Sequence, residues 1–77
     1  MIVPSHPHIA ITPGICGGRP VIAGTRMRVS DILDALASGV SADELLTDFP
    51  YIDADAINAC LAYAARAIDH PVVLAAA

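Results

Sequence analysis

Proline and glycine are spread so unevenly along this chain that they divide it into two kinds of backbone. Eight of the eleven fall within the first 24 positions, at 4, 7, 13, 14, 17, 18, 20 and 24, and only Gly39, Pro50 and Pro71 come later. Proline removes a backbone donor and glycine opens the left-handed region, so both punctuate regular structure. Nothing before Gly24 is uninterrupted enough for a helix. The stretches 25–38, 40–49 and 51–70 each are. Turns and short strands, followed by three helices, are what this punctuation admits.

The first part reads accordingly. Residues 1–8 hold two prolines and two histidines and are expected to be a mobile lead-in. Ile9-Ala10-Ile11-Thr12 can pair as a short strand, and Pro13-Gly14 is a turn pair. The runs Pro20–Ala23 and Arg26–Val29 flank Gly24-Thr25 and predict a β-hairpin. A period of two sends Met27 and Val29 to one face of its second run, and Arg26 and Arg28 to the other. A lone hairpin is marginal in water, so this one must pack on helices or pair with another chain.

The later part predicts three helices. Ser30 can cap the first, from Asp31 to about Ser38, with Ile32, Leu33 and Leu36 as its core face and Gly39 as its terminator. Ser41 with Glu44 has the spacing of a capping box for a second, about Ala42 to Asp48, which buries Leu45 and Leu46. Asp53 can cap a third, from Ala54 to about Ile68, where Ile57, Leu61, Ala64 and Ile68 fall at helical spacing. Its opposite face carries Asp55, Asn58, Ala62, Arg66 and Asp69. The fold class is therefore mainly α: a three-helix, helix-turn-helix-like domain with a short N-terminal β-hairpin. The chain divides into a lead-in over 1–8, this domain over 9–69 and an apolar tail over 70–77.

Size and charge narrow what such a domain does. Of 77 residues 56% are apolar, but 15 of those are alanine and there is no tryptophan. Small domains with thin cores lean on disulfides, metals or other chains, so a partner chain is the first suspect. Four arginines against eight acids leave a net charge of −4, the wrong sign for affinity built on counterion release from nucleic acid. The imbalance is local: residues 1–40 sum to +1 and residues 41–69 to −5. No apolar run approaches the ~20 residues needed to span a bilayer. Met1-Ile2-Val3-Pro4 does not open a secretory signal, so a cytoplasmic location is expected.

Catalytic constellations are missing. His6 and His8 are spaced i, i+2 without a third ligand nearby, and a solvated tail accounts for them better than a metal site. His70 lies beyond the last helix. Cys16 and Cys60 lack CxxC partners and read as free thiols. Gly17-Gly18-Arg19-Pro20 has neither the lysine nor the spacing of a phosphate-binding P-loop. No enzyme, cofactor or metal is expected.

The run Ile15-Cys16-Gly17-Gly18-Arg19-Pro20-Val21-Ile22-Ala23-Gly24-Thr25-Arg26 resembles the signature of the bacterial family catalogued as domain of unknown function 433. The likeness continues through Val29-Ser30, Leu36-Ala37-Ser38-Gly39, Glu44-Leu45-Leu46, Asp48-Phe49-Pro50 and Ala62-Tyr63-Ala64-Ala65, covering about residues 9–68. The resemblance implies a homeodomain-like helix-turn-helix preceded by a β-hairpin. It also implies an antitoxin role beside a PIN-like ribonuclease toxin, a nuclease class that holds divalent metal with clustered carboxylates.

Four surfaces follow as candidates. Arg19 or Arg26 can set a guanidinium against toxin carboxylates, where a bidentate pair is strong and selective; alternatively Arg26 bonds loop carbonyls and only organises the Gly17-Gly18 turn. The tail residues Val72, Val73 and Leu74 can cover a toxin surface or pack on the domain itself. For DNA the candidates are Arg26, Arg28 and Asn58, although Asp53 and Asp55 at the start of the third helix repel phosphates. Ala59, Ala62 and Ala65, with Tyr63 beside them, suit a homodimer. The resulting expectation is an antitoxin that neutralises its toxin and contacts operator DNA as part of the complex. The alternatives are a DNA-binding regulator without a toxin and an adaptor that only dimerises.

Overall fold

The computed structural model describes residues 2–3 and 6–71. Three antiparallel strands, β1 (Ile2–Val3), β2 (His6–Ala10) and β3 (Val21–Ile22), form a small sheet in that order. Three helices follow: α1 (Val29–Ala37), α2 (Ala42–Asp48) and α3 (Ala54–Ala67). The chain is mainly helical with an N-terminal antiparallel hairpin, the fold class expected.

The strand pairing differs in detail from the expected one. His6, Pro7 and His8, read from sequence as lead-in, belong to β2. This strand pairs β3 through Ile9 opposite Ile22 and Ala10 opposite Val21. The Gly24-Thr25 turn is present: the Thr25 hydroxyl donates to the Ile22 carbonyl at 2.8 Å and accepts from the Met27 amide at 3.0 Å. Its second arm, however, makes only one bridge, Arg28 to Val21, before the chain turns helical at Val29. The expected pairing of the two runs is present as two hydrogen bonds, from the Ile22 amide to the Met27 carbonyl at 2.8 Å and from the Val29 amide to the Pro20 carbonyl at 3.0 Å, and β2 pairs β3 on its other side.

Each helix start has an identifiable cause. The Ser41 hydroxyl accepts from the Glu44 amide at 3.1 Å, and an Asp53 carboxylate oxygen from the Ala56 amide at 2.8 Å. These are the expected caps of α2 and α3. Ser30 is not the cap of α1. The helix begins earlier, and Asp31 in its third position accepts from the Arg28 amide at 3.3 Å. At the other end Gly39 takes φ +95°, and the Val40 and Gly39 amides bond the Ala35 and Leu36 carbonyls at 3.0 and 3.1 Å. That is the Schellman arrangement, which needs a left-handed residue just past the helix.

The core is one cluster contributed by every layer: Ile9, Ile22, Val29, Ile32, Leu45, Ile52, Ala56, Ile57 and Cys60. Among the described residues no polar or charged residue is buried and no buried side-chain N or O lacks a partner. The inward face of α3 is Ala56, Ile57 and Cys60, so Leu61 and Ile68 do not belong to it and are 46% and 73% exposed. The expected core face of Ile57, Leu61, Ala64 and Ile68 holds for Ile57 alone, Ala64 being half-buried. Cys60 joins the core cluster, while its neighbour Leu61 turns out. Burial pushes the Cys60 thiol up to about 11, so it is a neutral core side chain. Among the described residues no helix is long and apolar enough to cross a membrane.

Candidate functional site: an arginine-rimmed cleft beside the glycine turn

The glycine-rich run places Arg19. Cys16, Gly17 and Gly18 take φ +51°, +66° and +78°, three left-handed residues in succession. Glycine adopts that backbone freely, whereas Cys16 does so against its Cβ. The turn is closed by Gly18 donating to the Ile15 carbonyl at 3.0 Å and Arg19 to the Cys16 carbonyl at 3.3 Å. The chain then leaves extended through Arg19 and Pro20, whose carbonyl accepts from the Val29 amide at 3.0 Å. Arg19 therefore stands exposed on a backbone pinned at both ends.

Beside it lies a cleft of about 400 Å³. One wall is Pro20 with Val29 and Leu33 of α1; the other is Tyr63, Ala64 and Ala67 of α3 with Ile68 at its C-terminal end. The Tyr63 ring is held edge-on by His6 of β2, with centroids 5.6 Å apart. Arg19, Arg28 and Ser30 complete the lining. An apolar floor with guanidinium groups at its edge suits a hydrophobic partner segment that carries a carboxylate.

The three arginines of the first half are not equivalent. Arg28 is committed within the chain: Nε donates to Asp31 Oδ2 at 3.2 Å and Nη2 to Oδ1 at 2.9 Å. That hydrogen bonding raises the Arg28 pKa and holds the Asp31 carboxyl below the ordinary carboxylate range. Arg26 is exposed and its side chain has no hydrogen-bond partner among the described residues. What meets the glycine turn is its backbone carbonyl, which accepts from the Cys16 thiol at 3.5 Å. The reading in which its guanidinium organises that turn has no contact behind it. Arg26 lines a second depression with Gly24, Thr25, Met27, Asp31 and Tyr51. The Arg28–Asp31 pair separates the two sites, Arg28 lining one and Asp31 the other.

Of the remaining candidates, Asn58 is exposed on α3 close to the exposed Asp53 and Asp55. Val72, Val73 and Leu74 lie outside the described residues. Ala59 and Tyr63 turn partly inward against the core, whereas Ala62 and Ala65 are exposed. Among the described residues no three His, Cys, Asp or Glu side chains gather as a metal site. The sequence reading missed the cleft walls. Leu33, Ala64 and Ile68, which helical spacing assigned to core faces, line the cleft instead.

Together these features define a small β-hairpin and three-helix domain with a basic-rimmed cleft. Residues 9–64 match the family model described as protein of unknown function, DUF433, and the chain belongs to that family. It is 38% identical over 56 residues to the uncharacterized protein y4eO of Sinorhizobium fredii; this covers 73% of the chain but only 25% of y4eO, so the chain spans about a quarter of that relative. A DUF433 member protein from Anabaena variabilis, known as a crystal structure, superposes with a TM-score of 0.75 at 34% identity. That match covers 77% of this chain and 58% of the other.

Proposed function

We propose that this chain is the antitoxin of a type II toxin–antitoxin pair, a non-catalytic cytoplasmic protein that binds and neutralises a PIN-like ribonuclease. The reading rests on Arg19, an exposed guanidinium without a hydrogen-bond or ion-pair partner among the described residues, held on a hydrogen-bonded turn beside an apolar cleft. A nuclease that gathers carboxylates for a divalent cation offers the complementary surface. Arg19 is the blocking residue on this reading and Arg26 a second contact, while Arg28 stays with Asp31. Operator binding belongs to the toxin complex, because the exposed start of α3 is acidic. The test is to co-express the chain with the nuclease-like product of the adjacent reading frame and measure ribonuclease inhibition by Arg19→Glu. Loss of inhibition by a variant of unchanged helicity supports the reading; full inhibition, or no complex with the wild-type chain, overturns it.

A further inference from the structure

The outer face of α3 fits itself. At about 100° per residue, Asn58, Ala62 and Ala65 form its midline, Leu61 and Ile68 lie along one flank, and Asp55 and Arg66 along the other. All seven are exposed. Asp55 is in the first turn of the helix and Arg66 in the last, and neither has an ion-pair partner among the described residues. They are 11 residues apart, so they stand only about 20° apart in projection and about 16 Å apart along the axis.

We propose that α3 pairs with α3 of a second copy of this chain, antiparallel about a twofold axis near Leu61. This proposal is independent of the toxin reading. Under that symmetry each Arg66 meets the partner's Asp55, giving two identical ion pairs, and Leu61 packs on the partner's Leu61. Small residues on the midline let the backbones approach. A parallel twofold would instead turn the charged flank of each helix toward the partner's Leu61 and Ile68 flank, leaving Asp55 and Arg66 unpaired, so the charges select the antiparallel arrangement. Antiparallel helices also place opposite dipole ends together. An interface that is complementary to itself about a twofold is what a closed dimer requires. The pairing also covers Leu61 and Ile68, which the fold leaves in water. Two helices of this length bury less than the ~1,600 Å² of a standard interface, so a dissociation constant in the micromolar range is expected.

The test is sedimentation equilibrium of the full chain over roughly 1–500 µM at low salt. The wild type is expected to move from monomer to dimer within that range. Asp55→Arg and Arg66→Asp each place like charges at both symmetry-related contacts and weaken association about tenfold. The double swap restores it. Swapped charges oppose the helix dipole, so recovery cannot come from a more stable helix. Leu61→Glu, at an exposed position, leaves helicity intact and the chain monomeric. A wild type that stays monomeric throughout overturns the proposal, whether residues 72–77 or another protein cover this face. So does a dimer indifferent to the single reversals, or a double swap no tighter than either one.

Discussion

Asp31 shows how much one side chain organises. It caps the backbone of α1 and grips the Arg28 guanidinium that lines the cleft. Because its folded pKa lies below its unfolded one, its contribution is complete above the unfolded value and disappears as pH falls through the folded value. Asp31→Asn is therefore expected to melt about 2–5 °C lower than wild type at pH 7, with the gap closing in acid below the ordinary carboxylate range. Thermal unfolding followed by circular dichroism at both pH values checks this; a gap independent of pH would show that charge plays no part. The residue's first-turn position was legible in the sequence, but its partner was not. A serine next to it looked the better cap, and only the early start of the helix at Val29 makes Arg28 the flanking residue.

Helix bounds were legible where a side chain writes the boundary. Ser41 and Asp53 accept from the amides three residues on, and α2 and α3 start where those residues predict. The pairing of 20–22 with 27–29 was legible around Gly24-Thr25, but that of β2 with β3 was not, since these two meet across the whole glycine turn and local patterning carries no record of such partners. The facing of α3 was half legible. Ile57 is inward as its spacing predicts, but an alanine-rich helix gives little contrast between its faces, and Leu61 was assigned to the wrong one. Termination of α1 rests on Gly39 at φ +95°. No atom lies within 4 Å of an added Cβ there, so Gly39→Ala tests backbone strain without a steric clash. It is expected to cost about 1 kcal/mol, or roughly 4–8 °C for a domain of this size. Unchanged melting would mean that the turn after α1 has another conformation.

Charge across the whole molecule bears on which macromolecule it contacts. The net charge of −4 is concentrated in the second half, and the exposed start of α3, where a helix-turn-helix would read bases, presents Asp53 and Asp55. Of the three arginines in the first half, Arg28 is already neutralised by Asp31, leaving Arg19 and Arg26 on two different depressions. Two phosphate contacts per chain release about two counterions, a weak salt dependence and a correspondingly weak grip. An α3-paired dimer would double the arginines but would use Arg66 and bury Asn58, the one residue on that helix able to bond an adenine edge. The isolated chain is accordingly expected to bind its own promoter no more tightly than the 10⁻⁴–10⁻⁶ M of non-specific association near physiological salt. Fluorescence anisotropy with labelled promoter and scrambled duplexes, from about 50 to 200 mM salt, distinguishes the cases. Equal, weak binding to both duplexes leaves operator recognition to a complex in which a partner supplies the basic surface. Nanomolar, sequence-selective binding by this chain alone would make it a regulator in its own right, with Arg26 and Asn58 the first residues to mutate.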